Sequence, residues 1–437
     1  MSEVDSGVEA RASVLHSIID LAPRAFVVEF AGTPKSGKST SVEAVRHFFK
    51  RHNFAVHVLT ERAAQCPIPM KGHLFFNTWC ASTMLAELLQ NVETNTDIII
   101  ADRGLFDALI WFQLQHKRGE LSDEELEHIE NFLLMDRWKN LFDLVAVLQA
   151  SASTALQREN ATRITSKPGS IMNTSVLDAL SDAVDESKKK YEPHFKKIVL
   201  SNTDSGEFRS SATKLVSLIL DSFEEFVNPE ILVVPRARVL ELVEQEPPGF
   251  GESKLRAIKD LVDKYGSYVR RTGAEKSSEV VQVVGCGVLV RSGKVFVFRR
   301  HDKNPKSRLY GKSTIWQGCH VDKPQNNTPK SAAVLRALER RIADSLFISR
   351  KVNSHLVGYT WDDSSEQAQR HIGFIHQVDV ESDDLAENLR KKEFRRSRGH
   401  DLVGEFVKAN GLVSRMDEID LEPWSRAVLA NHLQAHQ

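Results

Sequence analysis

The chain has 437 residues, more than one ordinary core accommodates, so two domains are expected. Its 58 Lys and Arg balance 59 Asp and Glu, for a formal net charge of -1, which excludes a general electrostatic footprint for nucleic acid or an anionic membrane. A hydrophobic share of 41% excludes wholesale disorder, and the scattered Cys66, Cys80, Cys286 and Cys319 offer no disulfide framework or zinc site, reading as reduced thiols.

In chain order, the N-terminal "MSEVDSGVEARASVLHS" is acidic and polar and does not read as a signal peptide. Residues 1–23 are expected to be an extension. No apolar run is long enough to span a bilayer, so a cytoplasmic protein with no membrane partner is expected. From residue 24, β-branched runs alternate with amphipathic stretches. "AFVVEFAG", "VHVLTE", "DIIIAD", "DLVAVLQA" and "KIVLSN" are the strand candidates. "STSVEAVRHFFKRH" and "NTWCASTMLAELLQ" carry the helix period between them. Such alternation predicts an α/β domain with a parallel sheet covered on both faces. Its last helix, "SSATKLVSLILDSFEEF", runs into Asn228-Pro229, where a boundary is expected and a second domain, 228–437, begins.

The second half reads as α+β. "EILVVPRARVLELV" precedes the Pro/Gly-rich "EQEPPGFGES", and "VVQVVGCGVLVRSGKVFVFRR" predicts a hairpin turning at Ser292-Gly293. A helix over "PKSAAVLRALERRIADSL" is followed by strands at "HLVGYTW" and "RHIGFIHQVDV". The basic run "RKKEFRRSRGHD" reads as a solvated helix face, with nucleic-acid contact the minor alternative.

Between the first strand and the first helix lies "AGTPKSGKST". Gly32 to Ser39 fits GxxxxGK[ST], and the loop runs from Gly32 through Lys35, Ser36, Gly37, Lys38 and Ser39 to Thr40. Its glycines let backbone N–H groups wrap a phosphate, Lys38 reaches the β- and γ-phosphates, and the Ser39 hydroxyl meets Mg²⁺. The following helix aims its positive end at the same anion. This domain is expected to bind a nucleoside triphosphate.

Three later features point to phosphoryl transfer onto a small molecule. In "DIIIADRGLFD", Asp102 ends a strand, where ligands gather in open α/β sheets, and can organise Mg²⁺ or the acceptor. Arg103 can pair with a substrate anion through its planar fork. In "VLTERA", Glu61 ends the second strand as a general base, an acceptor contact or a solvent-facing carboxylate. In "ALQRENATRITSKPGSIMN", Arg158 on a helix and Arg163, Lys167 and Gly169 in a polar loop have the composition of a mobile arginine-bearing lid. An ordinary surface loop is the alternative.

In this set of motifs, residues 24–226 resemble the thymidylate kinase and deoxynucleoside kinase group of P-loop kinases. The resemblance implies a five-stranded parallel sheet, ATP as donor, Mg²⁺, and a nucleoside or nucleoside monophosphate as acceptor. It also allows a homodimer. It places "HLFFNTWCASTMLAELL" along the acceptor pocket, where Phe75, Phe76 and Trp79 either stack on a base or belong to the core. Pro34 stands where thymidylate kinases usually carry an acid, and no arginine accompanies Trp79, which leaves the acceptor open.

From about 230 to 415 the chain resembles a predicted-phosphoesterase branch of the Nudix superfamily. Gly318-Cys319-His320 matches its GGH-type loop, and Arg336 to Arg341 its REUxEE helix. Aligning Leu338 and Ile342 on the apolar positions sets Arg340 and Arg341 where the family's metal-binding glutamates stand. A cation cannot ligate Mg²⁺, so His320, Arg336, Arg340 and Arg341 are expected to line a pocket that binds a nucleotide without hydrolysing it. Hydrolysis through other ligands, such as Glu381 or Glu393, is the alternative. A regulatory ATPase switch in a stress or defence pathway, or a bifunctional kinase and hydrolase, are the rival readings.

Overall fold

The apolar runs of the first half form β1 (Phe26–Gly32), β2 (Val56–Leu59), β3 (Ile98–Asp102), β4 (Leu144–Gln149) and β5 (Ile198–Asn202). All pair in parallel, in the order β2-β3-β1-β4-β5. β1 is buried along its whole length, as a strand covered on both faces must be. Because β1 is central, connections run first to one side and then to the other, and the crevice opens where they diverge. The computed structural model describes residues 3–433, apart from 93, 163, 165–170, 205–207, 245, 247, 303–310, 325–327, 347–352, 363–367, 381–399 and 417. The chain divides into two compact units, Met1–Val227 and Asn228–Gln437. Among the described residues no helix is long and apolar enough to cross a membrane.

Helices of the first unit are α1 (Glu3–Ser17), α2 (Lys38–Arg51), α3 (Leu74–Asn91), α4 (Leu105–Lys117), α5 (Asp123–Leu133), α6 (Asp136–Lys139), α7 (Ala152–Thr162), α8 (Thr174–Tyr191) and α9 (Phe208–Val227). The stretch expected as an extension is part of this unit's core. Val8, Ala12 and Leu15 fall on one face of α1 and are buried, and Arg11 pairs with Asp221 of α9 at 2.6 Å. Sequence reading missed this because the apolar stripe is thin, the helix is rich in polar residues, and Val14 lies exposed off the stripe.

The second unit is a mixed sheet. Its strands are β6 (Glu230–Pro235), β7 (Gly249–Gly251), β8 (Ser267–Arg270), β9 (Val280–Arg291), β10 (Lys294–Asp302), β11 (Ser313–Thr314), β12 (Trp316–His320), β13 (Asn353–Trp361), β14 (His371–Asp379) and β15 (His400–Lys408). Long β9 is its axis, parallel to β14 and antiparallel to β6, β10 and β12. The β9–β10 hairpin turns at Ser292 (φ 45°) and Gly293 (φ 70°), the pair of positive φ values that a twisted two-residue turn requires. Of the basic run, 390–399 lie outside the described residues; His400 and Asp401 begin β15, so that end is strand and not helix. Helices α10 (Arg236–Val243), α11 (Leu255–Tyr265), α12 (Arg271–Lys276) and α13 (Lys330–Leu346) follow in this unit. Val334, Leu338 and Ile342 of α13 are buried over β9, where Gly287 leaves room: a Cβ there would lie 2.7 Å from Ile342 Cδ1.

Candidate functional site

The phosphate loop leaves β1 in a conformation that only its glycines permit. Gly32 has φ 121°, and a Cβ on it would meet the Leu148 carbonyl oxygen at 2.0 Å; Gly37 has φ 90° and caps α2. Thr33 ties the loop to β4, its N–H donating to Leu148 O (3.1 Å) and its hydroxyl accepting from Ala150 N (3.0 Å). The loop is therefore shaped by backbone, and α2 begins at Lys38 with its N-terminal N–H groups facing the concavity.

Lys38 is buried and folds back, donating to Gly32 O (2.9 Å) and Thr33 O (2.6 Å). Burial, and then the neighbouring Arg103 charge, bring its pKa down to about 7. Ser39 and Thr40 are exposed at the mouth, Lys35 is exposed on the loop's outer side, and Ser36 is buried with its hydroxyl lacking a partner.

β3 delivers the next groups at the same edge of the sheet. Asp102 Oδ2 accepts from the Ser39 hydroxyl at 3.3 Å, whereas Oδ1 is buried without a partner. Burial, and then Glu61, raise the Asp102 pKa. A hydroxyl beside an orphaned carboxylate oxygen is a donor set that fits a hard divalent cation. Arg103 turns the other way, its Nε donating to Glu61 Oε1 (2.6 Å) and Nη1 to Asp107 Oδ2 (2.8 Å). Burial alone would lower the Arg103 pKa, but these two carboxylates reverse that and hold the guanidinium charged. Asp107, in the first turn of α4, also accepts Gly32 N–H through Oδ1 (3.0 Å), so one side chain touches the phosphate loop and the arginine.

Lys38, Ser39, Asp102, Arg103 and Glu61 thus meet in one crevice. Arg158 of α7 reaches its rim, donating from Nη1 to Lys35 O (2.9 Å) and from Nη2 to Thr203 O (2.5 Å). Lys35 Nζ in turn pairs with Glu159 (2.9 Å), so α7 is strapped to the outside of the loop. Arg163, Lys167 and Gly169 lie outside the described residues, as do Glu381 and Glu393. On α3, Phe75 is 64% exposed, Phe76 and Trp79 are half-buried, and none of the three is in the core. Burial pushes the Cys80 thiol up to about 12, and it feels Cys66, Glu61 and Arg103. Phe76 sits one helical turn before Cys80 on α3.

Sequence reasoning passed over two residues, Asp107 and Glu29. Glu29 is fully buried in β1 and accepts backbone N–H groups from Gly104, Phe106 and Asp107. The available signals were an acid interrupting "FVVEF" and an Arg103–Asp107 spacing of four on a predicted helix.

In the second unit, Arg340 is exposed, Arg341 is half-buried, and Arg336 Nη1 donates to Thr328 Oγ1 (2.9 Å). Burial pushes the Cys319 thiol up to about 12, with Arg341 and Arg340 pulling it down and Asp322 adding to the rise. The His320 ring centroid lies 6.0 Å from that of His371. Arg340 and Arg341 of α13 are therefore neighbours of Cys319 on β12, His320 lies on the side of β14, and Arg336 bonds Thr328 instead.

No protein-family model matches the chain. Over 205 residues it is 23% identical to protein YmaB of Bacillus subtilis (strain 168), a stretch covering 46% of this chain and 95% of YmaB. Among solved structures it is similar to Tm1382, a candidate Nudix hydrolase, at 21% identity and a TM-score of 0.35, covering 47% of this chain and 99% of that one. It is also similar to deoxyadenosine kinase from M. mycoides with bound dATP, at 18% identity and a TM-score of 0.34, covering 45% of this chain and 99% of the kinase.

Proposed function

We propose that the first unit is an ATP- and Mg²⁺-dependent phosphotransferase that acts on a nucleoside or nucleotide. One observation carries this reading. The Lys38–Ser39–Asp102 set for a triphosphate lies beside a second charged set, Arg103 with Glu61, in the same crevice. A simple nucleotide switch has no use for the second set; a transferase needs it to hold the receiving group.

The geometry supports the following roles. Lys38 leaves the two carbonyl oxygens for the β- and γ-phosphates, whose charge restores its proton. Ser39 and Asp102 would hold the metal ion, which when bound neutralises charge on the phosphates. Arg103 orients the acceptor and holds Glu61 in place through their ion pair. Glu61 takes the proton of the acceptor hydroxyl as its oxygen bonds to the γ-phosphorus and the bond to ADP breaks. Phe76 and Trp79 offer half-buried aromatic faces for a base, and Arg158 at the rim supplies a cation beside the phosphate loop.

For the second unit we propose nucleotide binding without hydrolysis. Support comes from Arg340 and Arg341, two cations on α13 where a Nudix helix would carry its metal-binding carboxylates.

The test is a screen of the full chain with ATP and Mg²⁺ against the common nucleosides and nucleoside monophosphates, read by mass spectrometry. An acceptor that gains one phosphoryl group is the expected result. ATP binding with no acceptor phosphorylated would overturn the proposal.

A further inference from the structure

A carboxylate in the middle of a parallel strand is costly unless its charge is matched. Glu29 lies between Val28 and Phe30 of β1 and is 0% exposed. Burial pushes its pKa up to about 8, against the pull of the backbone N–H groups of Asp107, Phe106 and Gly104. Oε1 accepts from Gly104 N (2.9 Å) and Asp107 N (2.7 Å), and Oε2 from Phe106 N (3.1 Å). These are N–H groups that the first turn of α4 cannot satisfy within the helix, and negative charge is favoured there by the helix dipole.

The fit leaves no slack. A Cβ on Gly104 would lie 2.5 Å from Glu29 Cδ. The residue before it, Arg103, has φ 68°, a left-handed conformation that a bulky side chain adopts only when its surroundings impose it. That single reversal turns strand β3 into helix α4 and sends Asp102 toward Ser39 and Arg103 toward Glu61. Asp107, whose N–H Glu29 holds, then divides its oxygens between Gly32 N (3.0 Å) and Arg103 (2.8 Å).

We infer that Glu29 is a positioning residue for phosphoryl transfer: it fixes the 103–107 turn and so sets Arg103 and Asp107 in the orientation the acceptor requires. It touches neither ATP nor acceptor. The inference rests on the phosphotransferase reading above.

The test uses the full chain carrying Glu29→Gln or Glu29→Asp. Glutamine keeps the size but sets an N–H₂ donor against one of the three N–H groups; aspartate keeps the carboxyl group but shortens the reach by one methylene. AMP-PNP with Mg²⁺ probes the donor site, the nucleosides and monophosphates of the screen probe the acceptor site, and amide hydrogen exchange reads the turn without any ligand. In Glu29→Gln the AMP-PNP Kd stays within about threefold and kcat falls about thirtyfold or more, a split expected when only transition-state geometry is lost. Exchange at Gly104, Phe106 and Asp107 speeds up about tenfold or more while the rest of the sheet is unchanged. Glu29→Asp lies between the two.

Wild-type kcat in Glu29→Gln, or a loss of kcat that matches the loss of folded protein, overturns the inference. Should Glu29→Gln fail to fold, Glu29→Asp decides alone: lowered kcat at unchanged AMP-PNP affinity supports the role, and wild-type kcat refutes it. If the wild-type protein phosphorylates no acceptor, the phosphotransferase reading fails separately. Exchange still reports whether Glu29 holds the turn, and unchanged exchange at those three amides overturns that as well.

Discussion

At the scale of single residues, the crevice works by placing charges where burial has already altered them. Lys38 has a pKa near 7 when the site holds no phosphate, because burial and Arg103 both disfavour its cation. A bound triphosphate would reverse this, so on the proposed reading ATP binding is expected to take up a proton whenever the pH is above about 7. The sign is fixed: above pH 7 the free protein has lost the Lys38 proton, binding must restore it, and affinity falls as pH rises, by up to about tenfold per pH unit. Calorimetry of AMP-PNP with Mg²⁺ between pH 6 and 9, in buffers of different ionisation enthalpy, reads the uptake directly. A Kd and proton count independent of pH would contradict it. Lys38→Ala should abolish transfer while leaving the circular dichroism spectrum unchanged, since the loop is held by backbone through Thr33 and Leu148. Glu61→Gln should lower kcat by about 10²–10⁴, the usual range for a lost general base. It should leave AMP-PNP binding unaltered; an unchanged kcat would reduce Glu61 to a partner of Arg103.

At the scale of elements, the strands were legible and the turn that joins β3 to α4 was not. "FVVEF", "IIIAD" and "LVAVL" are β-branched and apolar because β1, β3 and β4 are buried on both faces, and that composition is local. The phosphate loop was legible for a similar reason: its glycines answer to backbone torsions that any reader of the motif expects. The bond from Glu29 to the N–H groups of Gly104, Phe106 and Asp107 joins positions 75 or more residues apart, and nothing in "DRGLFD" announces it. α1 escaped notice because its buried side, marked by Val8, Ala12 and Leu15, is a thin stripe on a largely polar helix. Gly104→Ala forces a Cβ onto Glu29 and should destabilise the protein by about 1–3 kcal/mol, the usual cost of overpacking, seen as a lowered denaturation midpoint. Removal of residues 1–17 strips α1 from α9 and should lower Tm measurably; an unchanged Tm would return the segment to the status of an extension.

At the scale of the whole molecule, the chain joins two units with different chemistry. In the first, charges converge on one crevice at the C-terminal edge of a parallel sheet. In the second, α13 carries Arg340 and Arg341, so the unit should bind a phosphate-bearing nucleotide derivative and leave it intact. ADP-ribose incubated with the full chain and Mg²⁺ is the probe. Binding weakened by Arg340→Glu with Arg341→Glu, and no cleavage, is the expected outcome; release of AMP would contradict it.

On the proposed reading, ATP is consumed to phosphorylate an acceptor and not to run a switch. This is tested most directly by measuring ADP formation with and without the acceptor found in the screen, in wild-type protein and Lys38→Ala side by side. ADP is expected only when acceptor is present, one mole per mole of phosphorylated product, and none from Lys38→Ala. ADP formed at the same rate without acceptor, or transfer that survives Lys38→Ala, would contradict it.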